Sequence, residues 1–310
     1  MTQSQTKERP QRTVLRLFAF LLLLVSVLLC RPIAEGIRRG LSLCAEVIVP
    51  SVLPSMLLAE LLVHVSTGRR GLLSRLFSRL FHLPPAGALA FLLGALTGFP
   101  IGARISASLY ERGELTKEEA QRLLAISANT GPAFLVAGIG IALAGDGRIG
   151  WMLYLVEMVG AILIGLCLGI GHRTRTVEHV TPPAPFRFVE TVGACASRTL
   201  SLCAFVSLFC AIATLLETLL AGHALLPLLL SLLEIGTAAS CLAPAVGTQL
   251  IALPLIAFAV GFSGLSVHAQ TASVLKETDL NLRQFFICKL IQGGICFCLC
   301  PLACRLLGIG

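Results

Sequence analysis

Residues 94–134 read GALTGFPIGARISASLYERGELTKEEAQRLLAISANTGPAF, and their punctuation decides the fold. An apolar run is broken by Gly98, Pro100 and Gly102, a charged turn follows, and a second apolar run is broken at Asn129-Thr130-Gly131-Pro132. Inside a bilayer, an interrupted helix frees backbone N–H and C=O groups. These are tolerated only where protein buries them or where they line a cavity. Two interruptions flanking one charged turn therefore point to a binding or permeation site within a membrane.

Composition fixes the solvent. Only 13% of residues are charged and 56% are hydrophobic, against about 25% charged in soluble domains, so most of the chain faces lipid or other helices. The net charge of +8 sits in short clusters between apolar runs with almost no aromatic interleaving. That is the pattern of cytoplasmic loops beside anionic lipid, and it argues against a nucleic-acid partner. The twelve cysteines lie almost entirely in apolar runs without a CxxC pair and read as small buried hydrophobes. In CFCLC (296–300), helical spacing puts Cys296 and Cys300 on one face and turns Cys298 away. No metal site and no cofactor is expected.

Apolar segments occur at 14–30, 41–63, 86–110, 123–144, 150–171, 199–220, 224–240, 245–262 and 284–307, several near the roughly 20 residues a span requires. Residues 1–35 hold the first of them. Its basic lead and the absence of a small-x-small cleavage site before Arg31-Pro32 favour an uncleaved membrane helix with a cytoplasmic amino end over a signal peptide. Pro50 and Pro54 should kink or break segment 41–63. In 65–83, Leu72, Leu73, Leu76, Phe77, Leu80 and Phe81 recur at helical spacing between arginines, as in a helix lying in the interface. The polar linker 172–192 divides the chain into halves at 36–171 and 193–310.

The halves echo each other. LSLCA occurs at 41–45 and at 200–204, FLLGALTGFPIGA (91–103) is echoed by SLLEIGTAAS (231–240), and NTGPAFLVA (129–137) by FSGLSVHAQ (262–270). Charge then sets the topology. If 86–110 is a re-entrant hairpin bent at Gly98-Phe99-Pro100, four clusters share the cytoplasmic side: Lys7 to Arg16, Arg69 to Arg79, Arg104 to Arg122 and Arg173 to Arg198. Each holds four Lys or Arg, against four outside (Arg31, Arg38, Arg39, Arg148), as the positive-inside bias requires. The fold class is then an all-α membrane protein of two inverted-topology repeats with broken-helix, re-entrant segments. The matching hairpin of the second half falls in 224–262.

Thr116 and Glu119 form a capping box at the charged turn, and Asp279 or Asn281 can cap the helix after KETDLNLRQ (276–284). Neither turn is assigned to chemistry. Glu60, Glu157, Glu217 and Glu234 are the carboxylates lodged in apolar runs. Glu60 and Glu217 sit near helix ends, whereas Glu234 lies deeper beside Gly236 and Thr237. His268 and Gln270 follow Gly264 and Ser266 in a polar cluster. Half-helix amino ends attract anions and carboxyl ends attract cations. The candidate substrate-binding set is therefore Gly98, Pro100, Gly102, Asn129, Thr130, Gly131, Pro132, Glu234, Thr237, Gly264, Ser266, His268 and Gln270. No catalytic constellation such as HExxH, GxSxG or GxxxxGK[ST] occurs, so an enzyme is not expected.

Gly98 to Gly102, Leu115 to Glu119 and Asn129 to Pro132, with LLE (232–234) and GLSVHAQ (264–270), resemble the sporulation integral membrane proteins of the nucleoside-recognition (Gate) domain family over roughly residues 36–300. The sequence departs from that pattern at TAAS (237–240). The resemblance implies two Gate-like repeats and a place in the forespore or mother-cell membrane of a sporulating cell. The expected function is a transporter or gate for a small polar solute or ion, with room for a homo-oligomer. The competing expectation is a scaffold that recruits cortex or coat assembly factors and transports nothing.

Overall fold

A computed structural model describes residues 27–65, 71–172 and 186–309, together with Arg16, Phe20 and Leu24. The basic amino-terminal residues before Arg16, Arg69, Arg70 and most of the linker 172–192 lie outside the described residues. The described chain is helical, with no strand among those residues.

The first half runs α1 (Cys30–Leu43), a π-helical turn (Cys44–Ile48), α2 (Val49–Val65), α3 (Leu72–Phe81), α4 (Gly87–Thr97), α5 (Ile101–Glu111), α6 (Lys117–Ser127), a π-helical segment (Phe134–Leu143) and α7 (Gly147–Gly169). The second half runs α8 (Phe188–Leu219), α9 (Leu226–Leu233), α10 (Ile235–Leu242), a 3-10 turn (Ala243–Ala245), α11 (Ala252–Phe262), α12 (Gly264–Val274) and α13 (Leu282–Leu307). Five stretches are long and apolar enough to cross a membrane: Cys30–Leu62, Gly147–Gly169, Phe188–Leu219, Ala252–Val274 and Leu282–Leu307. With 23 residues, α7 rises about 34 Å, which matches a hydrocarbon core of about 30 Å. The 32 residues of α8 rise about 48 Å.

Two expectations change. The helix runs through Pro50 and Pro54 instead of breaking, and the widened π turn lies just before them. Proline removes one N–H and crowds the preceding carbonyl; a π turn shifts the register of that turn without ending the helix. The stretch around Arg31, Arg38 and Arg39, placed outside the membrane between two apolar segments, is the start of the same long helix. Gly36 and Gly40 there let α1 press against the backbone of α8 at Ala211 and Ser207.

α4 and α5 have 11 residues each, about 16 Å of rise, so each reaches only about half of the hydrocarbon core. The chain reverses between them. A Cβ on Gly94 would lie 3.1 Å from the Gly102 Cα, and Cβ atoms on Gly94 and Gly102 would meet the Ser127 carbonyl oxygen of α6 at 2.0 and 1.9 Å. Only glycine permits that approach. α9 and α10 meet at Glu234 and contact each other. This second pair ends at Leu242, shorter than the expected 224–262, because α11 runs on into α12 with only Ser263 between.

Ion pairs identify the two ends of the bundle. At one, Glu60 Oε1 accepts from Arg104 Nε at 2.7 Å and Arg198 Nη1 at 3.0 Å, and Asp279 accepts from Lys117 Nζ at 2.7 Å and Tyr110 at 2.6 Å. At the other, Arg39 donates to Glu217 at 2.9 Å. Glu60 and Glu217 thus sit near helix ends, as expected from their positions in the sequence. α3 turns Phe77 and Phe81 inward, where they contact Phe91, and leaves Leu72, Leu73, Leu76 and Leu80 exposed. Cys296 and Cys300 are buried while Cys298 is exposed, as the helical spacing requires.

Candidate functional site

The charged turn is a helix start. Thr116 Oγ1 accepts from the Glu119 N–H and Glu119 Oε2 from the Thr116 N–H, at 3.2 and 2.9 Å, closing the capping box. Asn281, not Asp279, caps α13 through the Arg283 N–H at 2.8 Å. Asp279 instead ties this turn to the other half, and the Lys117 ammonium, with the Tyr110 hydroxyl, holds its carboxyl below the usual carboxylate range.

The interruption at 128–133 carries the densest buried polar network. The Phe99 N–H, at the tip between α4 and α5, donates to the Asn129 carbonyl at 2.7 Å. Gly98, at φ +82°, packs against Gly131 so closely that a Cβ would lie 2.3 Å from its nitrogen. The Thr130 N–H donates to Glu157 Oε1 at 2.7 Å. Asn129 Oδ1 accepts from Lys289 Nζ at 2.8 Å and from Gln292 Nε2 at 3.1 Å, while its own amide donates to the Ile126 carbonyl at 2.6 Å. Lys289 also donates to Gln292 Oε1 at 3.0 Å, and Gln292 to the Glu157 carbonyl at 3.1 Å. Glu157, Lys289 and Gln292 are wholly buried. The two charges interact electrostatically but do not touch; Asn129, Thr130 and Gln292 stand between them.

The second half is arranged differently. Glu234 caps α10: its Oε1 accepts from the Gly236 N–H at 3.0 Å and its Oε2 from the Thr237 N–H at 2.6 Å and the Thr237 hydroxyl at 3.0 Å. The carboxylate takes the anion position at the helix amino end. Ser263 is left-handed at φ +70°, and Gly264 packs against the Leu233 carbonyl and Glu234 Cα. His268 Nδ1 contacts the Gly264 carbonyl at 2.7 Å, and its ring is boxed by Phe262, Phe285 and Phe286. Gln270 Nε2 donates to Ser266 at 3.1 Å, and Gln270 Oε1 is buried without a partner.

A cavity of about 330 Å³ opens beside the α4–α5 tip. Phe99, Pro100 and Gln270 line it together with Arg104, Arg198, Lys276 and Glu277. Most of the candidate residues fall in three places. Pro100 and Gln270 line the cavity; Gly98, Asn129, Thr130 and Gly131 belong to the network; Glu234 and Thr237 close a cap against which Gly264 packs. Gly102 serves the packing of α5 on α6. Sequence reasoning missed Lys289 and Gln292 and left Glu157 unassigned. Lys289 carried a legible signal, a lone cation well inside an apolar span, and such residues are functional by default.

Long apolar helices around an internal polar network define a polytopic helical membrane protein. The chain is similar to the sporulation integral membrane protein YlbJ of Bacillus subtilis (strain 168), with 26% identity over 321 aligned residues, 89% of this chain and 79% of that protein. No family model matches the chain, and no solved structure matches it.

Proposed function

We propose that the protein is a transporter or gate for a small anionic solute, acting in the membrane of a sporulating cell. The observation that carries this reading is the cavity: Arg104, Arg198 and Lys276 line it against Glu277, and the one carboxylate paired with the arginines, Glu60, is shared by both. Three cations against two carboxylates favour a carboxylate or phosphate there, while the unpartnered Gln270 oxygen asks for a donor.

The architecture supporting this reading is two inverted repeats, 36–171 and 193–310, joined by 172–192. In each half a long helix is followed by a short reversed pair, an interrupted helix and a final span. The pair α4–α5 starts at the bundle end that holds Glu60 and Asp279, and α9–α10 at the end that holds Glu217. The positive-inside bias puts the first of these ends, and with it the amino terminus, in the cytoplasm. The cavity then faces inward. No catalytic step is assigned to these residues, and the partners are the bilayer and the solute.

The test is thermal unfolding of the purified protein against a panel of carboxylates, phosphates, neutral nucleosides and simple cations, followed by uptake into proteoliposomes. A carboxylate or phosphate should raise the midpoint saturably, and Arg104→Ala with Arg198→Ala should abolish the shift. If nothing in the panel binds, and loss of the 65–83 or 172–192 loops ends function while the arginine variants are silent, the scaffold reading stands instead.

A further inference from the structure

We infer that Lys289 is a tethered replacement for a free coupling cation at the interrupted helix of the first half; this rests on the transporter reading above. α6 ends at Ser127, and its carboxyl end carries partial negative charge. In transporters built from discontinuous helices, unwound backbone and half-helix carboxyl ends hold sodium or a proton. Here two oxygens suited to such a cation, Asn129 Oδ1 and Gln292 Oε1, already accept from the Lys289 ammonium at 2.8 and 3.0 Å.

The placement is not that of an ordinary packing residue. Lys289 is wholly buried, with its ammonium 5.9 Å from the centre of the Phe285 ring. A buried charge costs several kcal/mol unless it is compensated, and an apolar side chain would fill the volume without that cost. The compensation comes from Glu157 on α7, also wholly buried, whose Oε1 is fixed by the Thr130 N–H and whose Oε2 has no partner. The remaining titratable groups around the ammonium are His268 on α12 and Cys288 and Cys296 on α13 itself. The lysine belongs to the second half and the asparagine to the first, so the tethered cation joins the halves where a mobile ion otherwise would. Solute binding is then independent of sodium.

The test is thermal unfolding of the purified full-length protein with sodium chloride replaced by choline chloride at constant ionic strength. The wild-type midpoint should not respond to sodium. Lys289→Ala should lower the midpoint, and sodium or methylammonium, but not choline, should restore it saturably by mass action. Saturable sodium stabilisation of the wild type overturns the inference, as does a folded Lys289→Ala protein that no small cation restores. The wild-type titration decides even if the variant does not fold. The readout is cation occupancy alone, so a sodium response of the wild type sinks the tethered cation and leaves anion transport standing, whereas failure of every anion in the panel sinks the transport reading.

Discussion

The break at 128–133 in the first half and the α9–α10 junction at Glu234 in the second differ in how they settle their charge. In the first half the break at 128–133 depends on groups from elsewhere: Glu157 on α7, Lys289 and Gln292 on α13. In the second half the tip is closed locally, because Glu234 caps the helix it begins. One half is held by long-range charge and the other by a local cap. A change at the first break should therefore disturb the whole bundle, and a change at the second should stay local.

The sharpest way to break this comparison is Glu157→Gln, which strands the Lys289 ammonium. We expect a loss of about 3–5 kcal/mol in unfolding of the purified protein, with most of it recovered by adding Lys289→Met. A double variant as unstable as the single one would show that the two charges are not coupled. Next come Gly98 at the α4–α5 tip and Gly264 at the start of α12. Gly98→Ala drives a Cβ into the Gly131 backbone, whereas Gly264→Ala meets the Leu233 carbonyl at 3.0 Å. The first should cost about 1–3 kcal/mol and more than the second; equal losses would put both glycines under the same constraint. Glu234→Gln keeps one acceptor for the α10 amides and should cost about 1 kcal/mol, far less than Glu157→Gln. The smallest effect concerns the turn that joins the halves at Asp279. Its folded pKa is depressed, chiefly by Lys117, so its contribution is present above the ordinary carboxylate pKa and is lost as pH falls through the lower folded value. Asp279→Asn should flatten the acid limb of the stability profile, and an unchanged limb would remove the contact from the account.

Much of the plan was legible in residues that admit few readings. Gly98 and Pro100 interrupt the helix by backbone geometry, whereas Gly102 lies inside α5 and serves its packing on α6; Thr116 with Glu119 starts a helix by side-chain reach. The echo of LSLCA and the Gly131–Gly264 correspondence fall on elements that occupy the same order in each half. Pro50 and Pro54 misled because the helix widens to a π turn just before Pro50 and then runs on through Pro54, and no periodicity announces such a turn. The partners of Asn129 were not legible for another reason: Lys289 lies 160 residues away in the chain, and apolar patterning cannot say which faces of α6, α7 and α13 meet. Carboxylates in apolar runs drew attention to Glu157, but its counter-charge became visible only once those three helices were packed.

The length of α8 has one more consequence. A rod of about 48 Å cannot be hidden in a hydrocarbon layer of about 30 Å, even at the largest tilt commonly seen, about 40°. At least a turn of it therefore stands clear of the lipid, and Phe188 and Val189 at its start are strongly exposed. Thinner and thicker membranes will change how much of α8 protrudes.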